Sequence, residues 1–146
     1  MTAIDAALRA KLSADSPVAV ITGGRIYIDR LPINPTLPAI SLHLVSEIPH
    51  DNIPNLFSSR VQISCWSDPA SQDGIQSPAE VMGLSDAVKT AVSKTKLEAE
   101  PAAWTVGTTT YSVHGVRVQN APRMIDPVTN WYHVPVDLVI EFRRNI

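Results

Sequence analysis

The closing stretch, Tyr132 to Phe142, constrains the fold more than any other part of the chain. Tyr132, Val134, Val136, Leu138, Ile140 and Phe142 alternate with His133, Pro135, Asp137, Val139 and Glu141. Successive side chains of a strand point to opposite faces, so this spacing sets one apolar row against a core. Such a row cannot be buried by one strand alone. It needs sheet neighbours and a second layer over the same face. Pro135 lacks the N–H that a ladder uses, which predicts an edge position or a bulge near the start of the strand.

A second row of the same kind lies at residues 60–66. Val61, Ile63 and Cys65 face one way, and Arg60, Gln62, Ser64 and Trp66 the other. Turn formers follow from Ser67 to Gly74. Ser77-Pro78-Ala79-Glu80 then predicts a helix start, with Ser77 as N-cap, Pro78 in the first turn and Glu80 closing a capping box. The helix is expected over 78–95, with Val81, Leu84, Val88 and Ala91 or Val92 on one stripe. The residues expected in the core are Val61, Ile63, Cys65, Leu84, Val88, Leu138 and Ile140.

Around these two strands and their helix the rest of the chain can be placed. Residues 2–14 predict a helix capped by Thr2, carrying Ile4, Leu8 and Lys11 or Leu12 at near-helical spacing and ended by Ser16-Pro17. Val18 to Ile21 fits a final turn or a short strand. Gly23-Gly24 is a turn, and Arg25 to Asp29 a strand with Ile26 and Ile28 inward. Leu31 to Pro38 is a proline-spaced, extended connector. Residues 39–45 form a strand with Ile40, Leu42 and Leu44 on one face. Ser46 to Ser58 holds two prolines and predicts a long loop between antiparallel strands, with Leu56 and Phe57 either tucked against the core or held out as anchors. Trp104 to Val106 reads as a short strand ended by Gly107. In Thr108 to Gln119, Tyr111, Val113 and Gly115 are expected on one face and His114, Val116 and Val118 on the other, with Gly115 marking a bulge or a close backbone approach. A turn follows at 126–130. The sum is a single α+β domain over 1–146, a mostly antiparallel sheet with helices on one face.

Charged residues make up 18% of the chain, against a usual share of about 25%, which points to a surface partly covered by partners. The formal charge of -2 gives no reason to expect wrapped nucleic acid. One cysteine excludes an intrachain disulfide and a cysteine zinc cluster. No run of 18 apolar residues predicts a spanning helix, and the N-terminus shows no secretory pattern, so use in a reducing compartment is expected.

Chemistry-bearing patterns are sparse. Gly23-Gly24 lacks the surroundings of a phosphate loop. His43, His50, His114 and His133 form no metal-binding pair; His43, His114 and His133 lie on predicted strands, where two could meet with Glu47 or Asp137 only if the sheet brought them together. Asp68 and Asp73 lack the acidic spacing of a calcium loop and suit a turn. Cys65 shares its face with Val61 and Ile63 and reads as a small buried hydrophobe. Arg25, Arg30 and Arg60, and separately Arg117, Arg123, Arg143 and Arg144, are candidate clusters for a sheet face or for pairs between subunits.

The order of elements carries a resemblance. The short first helix, Gly24-Arg-Ile-Tyr27, the connector into Leu37-Pro-Ala-Ile-Ser-Leu42, the strand Arg60 to Trp66 with its Ala- and Val-rich helix, and the closing strand Tyr132 to Arg143 together resemble the small tail-completion proteins of long-tailed bacteriophages and gene transfer agents. That family includes tail terminators and neck proteins. Trp66 stands where the family often has tyrosine, and Ser46–Ser58 is somewhat long. The resemblance implies a tail-terminator-like fold and a structural ring subunit, usually hexameric, that closes the tail tube and joins tail to head. It implies no enzyme, no cofactor, no metal and no membrane. The implied partners are further copies of the chain, the major tail tube protein and a head-connector or stopper protein, with genome DNA passing through the lumen unread. The implied place is the virion tail or neck, after assembly in the host cytoplasm. A head-side connector or stopper is the alternative, and a small hydrolase or nuclease, which would need a convergent polar pocket, is the rival class; a free-standing binding domain would instead leave the chain monomeric. Leu31, Ile33, Pro35, Leu56 and Phe57 are the candidate interface residues, as apolar side chains on the connector and the predicted loop.

Overall fold

A computed structural model describes residues 3–68, 78–93 and 102–145. The elements among the described residues are, in order, α1 (Ile4–Ala14), α2 (Ser16–Thr22), β1 (Ile26–Ile28), β2 (Ala39–Pro49), β3 (Leu56–Ser67), α3 (Ala79–Ser93), β4 (Ala102–Val106), β5 (Thr109–Asn120), β6 (Met124–Ile125) and β7 (Tyr132–Asn145). The strands make one sheet in the order β1-β2-β3-β7-β5-β4, with β6 also paired to β7. β1 runs parallel to β2 and every other pairing is antiparallel. α1 packs over β1, β2 and β4, α3 packs over β3, β5 and β7, and α2 rests on both helices. The architecture is the expected α+β layer with a mostly antiparallel sheet and its helices on one face.

The core is the apolar row of each strand meeting the helix stripes. Val61, Ile63, Cys65, Leu84, Val88, Leu138 and Ile140 are all fully buried, as are Ile4, Leu8, Leu12, Ile40 and Leu42. Thr2, Ser77, Asp73 and the end of the predicted helix at 94–95 lie outside the described residues. The cap at Ala3 has no side-chain hydrogen bond.

Several expectations are corrected. Ser16-Pro17 ends α1 but also opens α2, so Val18 to Ile21 are helical. Asp15 accepts a hydrogen bond from Val18 N at 3.4 Å, and Pro17 sits in the first turn, where a missing N–H does no harm. The predicted loop Ser46–Ser58 is mostly strand. β2 runs to Pro49 and β3 starts at Leu56, leaving a turn at 50–55. Pro49 is tolerated because β1 pairs only with residues 40–42, so the outer flank of β2 is an edge at that level.

β7 is a central strand, not an edge. Pro135 pairs with Ser64 on one flank, but on the other it falls in the gap between the Asn120–Asp137 and Met124–His133 pairs. Its missing N–H lies where the ladder is already interrupted. In β5 the register shifts between Val113 and Gly115, the bulge that the glycine suggested. The extra residue moves Val116 to the core face beside Tyr111 and Val113, so the predicted face of Gly115, Val116 and Val118 is reversed. Gly115 makes no close approach, since a Cβ there would meet nothing within 4 Å.

Candidate assembly surfaces

The core-side face of the β2–β3 hairpin is closed by a polar latch. Ser59 donates to Glu47 Oε1 at 3.2 Å, and Arg144 Nη2 of β7 lies 3.6 Å from Glu47 Oε2. The guanidinium is held between aromatic faces, 5.3 Å from the Phe57 centroid and 5.8 Å from that of Tyr111. Phe57 stacks on Phe142 at 5.6 Å, and Tyr111 meets the same ring edge-on. Burial pushes the Tyr111 hydroxyl up, and the nearby Arg144 charge opposes that rise. Four strands thus meet at this group, with both charges only partly exposed. The outer surface of the hairpin carries Val45, Ile48 and Ile53, all well exposed.

A second cluster lies at the other end of the sheet, on the face without helices. Trp66 donates to Ser41 Oγ at 3.1 Å, and His133 lies flat on Trp66 with centroids 3.9 Å apart. Trp131 meets Trp66 edge-on. His133 Nε2 is buried without a hydrogen-bond partner, and burial lowers the His133 pKa, opposed by Asp126. β6 and its turn flank this stack and leave Met124, Ile125 and Val128 exposed. The Asp126 carboxylate accepts from Val128 N at 2.8 Å and Thr129 N at 3.4 Å, which fixes the turn.

Between the two ends the open sheet face is polar. Arg60 and Arg117 flank Val139 across three strands, and Arg60 reaches Asp137 at 3.5 Å. A shallow depression lined by Gly115, Arg117, Val139 and Glu141 marks the β5 bulge.

The candidate interface residues are not brought together. Ile33 is 94% exposed on the connector, with Leu31 and Pro35 half-buried beside it. The connector enters β2 at Ala39, the end opposite the hairpin turn. Leu56 is half-buried at the start of β3, and Phe57 is committed to the Phe142 stack. The two proposed arginine sets resolve into separate pairs: Arg25 donates to Pro38 O, Arg60 meets Asp137, and Arg144 meets Glu47. His43 lies 3.6 Å from Asp29, and among the described residues no three His, Cys, Asp or Glu side chains form a metal-holding group. Cys65 is buried, and burial pushes its thiol up to about 12, which leaves it protonated and inert at neutral pH. No helix of the described residues is long and apolar enough to cross a membrane.

Sequence reasoning named Glu47 and Arg144 without pairing them, and it missed Met124, Ile125 and Val128. The first two are separated by most of the chain and meet only through the β2–β3–β7 register. The other three had a signal: apolar residues in a proline-flanked stretch with no strand or helix period to bury them.

The profile of the family described as tail completion protein gp17 matches residues 6–140. Among solved structures, a chain from the virion of a native gene transfer agent particle is similar with a TM-score of 0.64 and 17% identity, over 97% of this chain and 95% of that one. At that identity the likeness is one of fold. No curated protein matches the sequence.

Proposed function

We propose, because this chain belongs to the tail completion protein gp17 family, that it is a ring subunit closing the tail tube and joining tail to head in a phage or phage-like particle. The family match across nearly the whole chain carries this reading, and the shared fold with a gene transfer agent chain supports it. The molecule suits such a role physically. Apart from Val20 on α2, the exposed large hydrophobics among the described residues lie at the hairpin, on the connector and around β6. A ring requires two different surfaces on each subunit that pair under rotation, and these sites are distinct from one another.

In this reading the subunit assembles as a homo-oligomer of six in the host cytoplasm and takes its place in the tail or neck. It meets the major tail tube protein on one side and a head-connector or stopper protein on the other. Genome DNA passes through the lumen without being read. Leu31, Ile33, Pro35, Leu56 and Phe57 contribute to the subunit contacts, Ile33 by direct insertion and Phe57 by shaping the hairpin it supports. Imaging of the intact particle tests the reading. Sixfold density for this chain at the end of the tail tube is expected. A single copy at that site would overturn the ring, and density on the head side of the junction would make the chain a connector or stopper.

A further inference from the structure

The stretch between β5 and β7, residues 121–131, is a strap held lightly by the rest of the molecule. None of its residues is buried, and most are exposed. Its ladder to the sheet is β6 alone, with Met124 opposite His133 and Ile125 opposite Tyr132. Within the strap, Asp126 N donates to Trp131 O at 2.9 Å and Asn130 N to Asp126 O at 2.8 Å, bonds that travel with it. Few buried contacts and few anchoring hydrogen bonds put such a segment at the low end of local stability. His133 lies beneath it. Directly opposed residues of an antiparallel pair share a face, so the Met124 side chain stands beside the imidazole, while Trp66 lies flat on it at 3.9 Å. Nε2 is shut from water and has no partner. A neutral imidazole tolerates this better than a charged one, because one of its nitrogens can stay a bare acceptor. An imidazolium carries N–H on both nitrogens, and here one of them would have no acceptor.

The charges around the ring do not cancel this cost. Trp66 on β3 and Met124 on β6 are uncharged. Asp126 in the turn favours the proton, but burial outweighs it, and its carboxylate is already engaged by Val128 N and Thr129 N. Arg123 adjoins Met124 and is exposed, and on β7 itself Asp137 is engaged by Arg60. We propose that protonation of His133 releases the strap from β7, uncovering Trp66 and the flank of β7 at Tyr132 and His133. β5 pairs with β7 only from Asp137 onward, so that flank has no other strand to cover it among the described residues. The closed strap is favoured above about pH 6.5 and its opening is eased below, by at most about tenfold per pH unit, the limit for one proton. The device belongs to the single subunit and does not rest on the ring reading.

Residue-resolved amide exchange of the full chain, corrected for intrinsic rates, tests the release between about pH 7.5 and about pH 5.5. Protection across the β6–β7 ladder should fall severalfold in wild type as the pH drops. Low urea should leave that exchange almost unchanged, because opening the strap exposes little surface, while exchange in β3 and α3 should quicken with urea. His133→Phe keeps a flat ring on Trp66 and should abolish the pH dependence at the ladder. Asp126→Asn keeps an acceptor for Val128 and Thr129 but removes the charge that favours the proton, so it should strengthen the pH dependence. The wild-type profile stands as a test on its own, whatever the variants do to folding. Ladder protection that ignores pH in wild type, a pH dependence that survives in His133→Phe, or strap exchange that quickens with urea in step with the core would each overturn the release.

Discussion

His133 carries a charge only at a cost, because it is half-buried, flat against Trp66, with Nε2 lacking a partner. Burial therefore lowers its pKa below the value of about 6.5 that it has in an unfolded chain. The unfolded state then binds the proton more readily, so its contribution to stability is full above the unfolded pKa. That contribution is lost as the pH falls through the window down to the folded pKa. The urea midpoint should drop as the pH falls below about 6.5, and His133→Phe should flatten that drop while keeping the stack on Trp66. An unchanged slope in the variant would show that another group is responsible. The alternation of β7 assigned His133 to the face away from the core, and that is where it lies. Its stacking on Trp66 was not legible, because it depends on which residue the neighbouring register sets opposite.

The β2–β3 hairpin shows how a tertiary pairing overrides a local signal. Two prolines between residues 46 and 58 argue for a loop, yet Pro49 ends a strand on a flank that no neighbour uses at that level. What keeps the chain extended is the ladder to β7, reaching Leu56–Arg143, and the latch beneath it. Glu47→Ala or Arg144→Ala should speed amide exchange across residues 46–58 more than in α3. A double-mutant cycle between the two should give a coupling of about 0.5–3 kcal/mol. Equal exchange changes across the molecule would mean that the pair serves general stability and not the hairpin. In β5 one inserted residue reversed a face prediction, since a period of two cannot survive a bulge.

At the scale of the molecule, the two clearest alternations, in β3 and β7, are adjacent strands at the centre of the sheet. They were readable because both bury one face and leave the other polar, whereas the short β1 and β6 depend on neighbours. Leu84 on α3 and Leu138 on β7 represent the two sides of the main packing layer, and both are fully buried. Leu84→Ala and Leu138→Ala should each cost about 2–5 kcal/mol in chemical denaturation. Losses below about 0.5 kcal/mol at both would be incompatible with this core. The family assignment, with its structural role in a tail or neck, agrees with a molecule that keeps a closed core and, Val20 on α2 aside, exposes its large hydrophobics at the hairpin, the connector and β6.

β1 is the one parallel neighbour, so the chain must return between Ile28 and Ala39 before it can enter β2 in the same direction. The return covers three residues of strand, about 10 Å, and one step between strands of about 5 Å. Residues 29–38 could span about 33 Å if extended. Roughly half of the connector is therefore surplus to the topology, and Ile33 rides at 94% exposure on that surplus. Sheet and excursion answer to different demands. A change in the length of the excursion can therefore be absorbed without moving the pairing of β1 with β2.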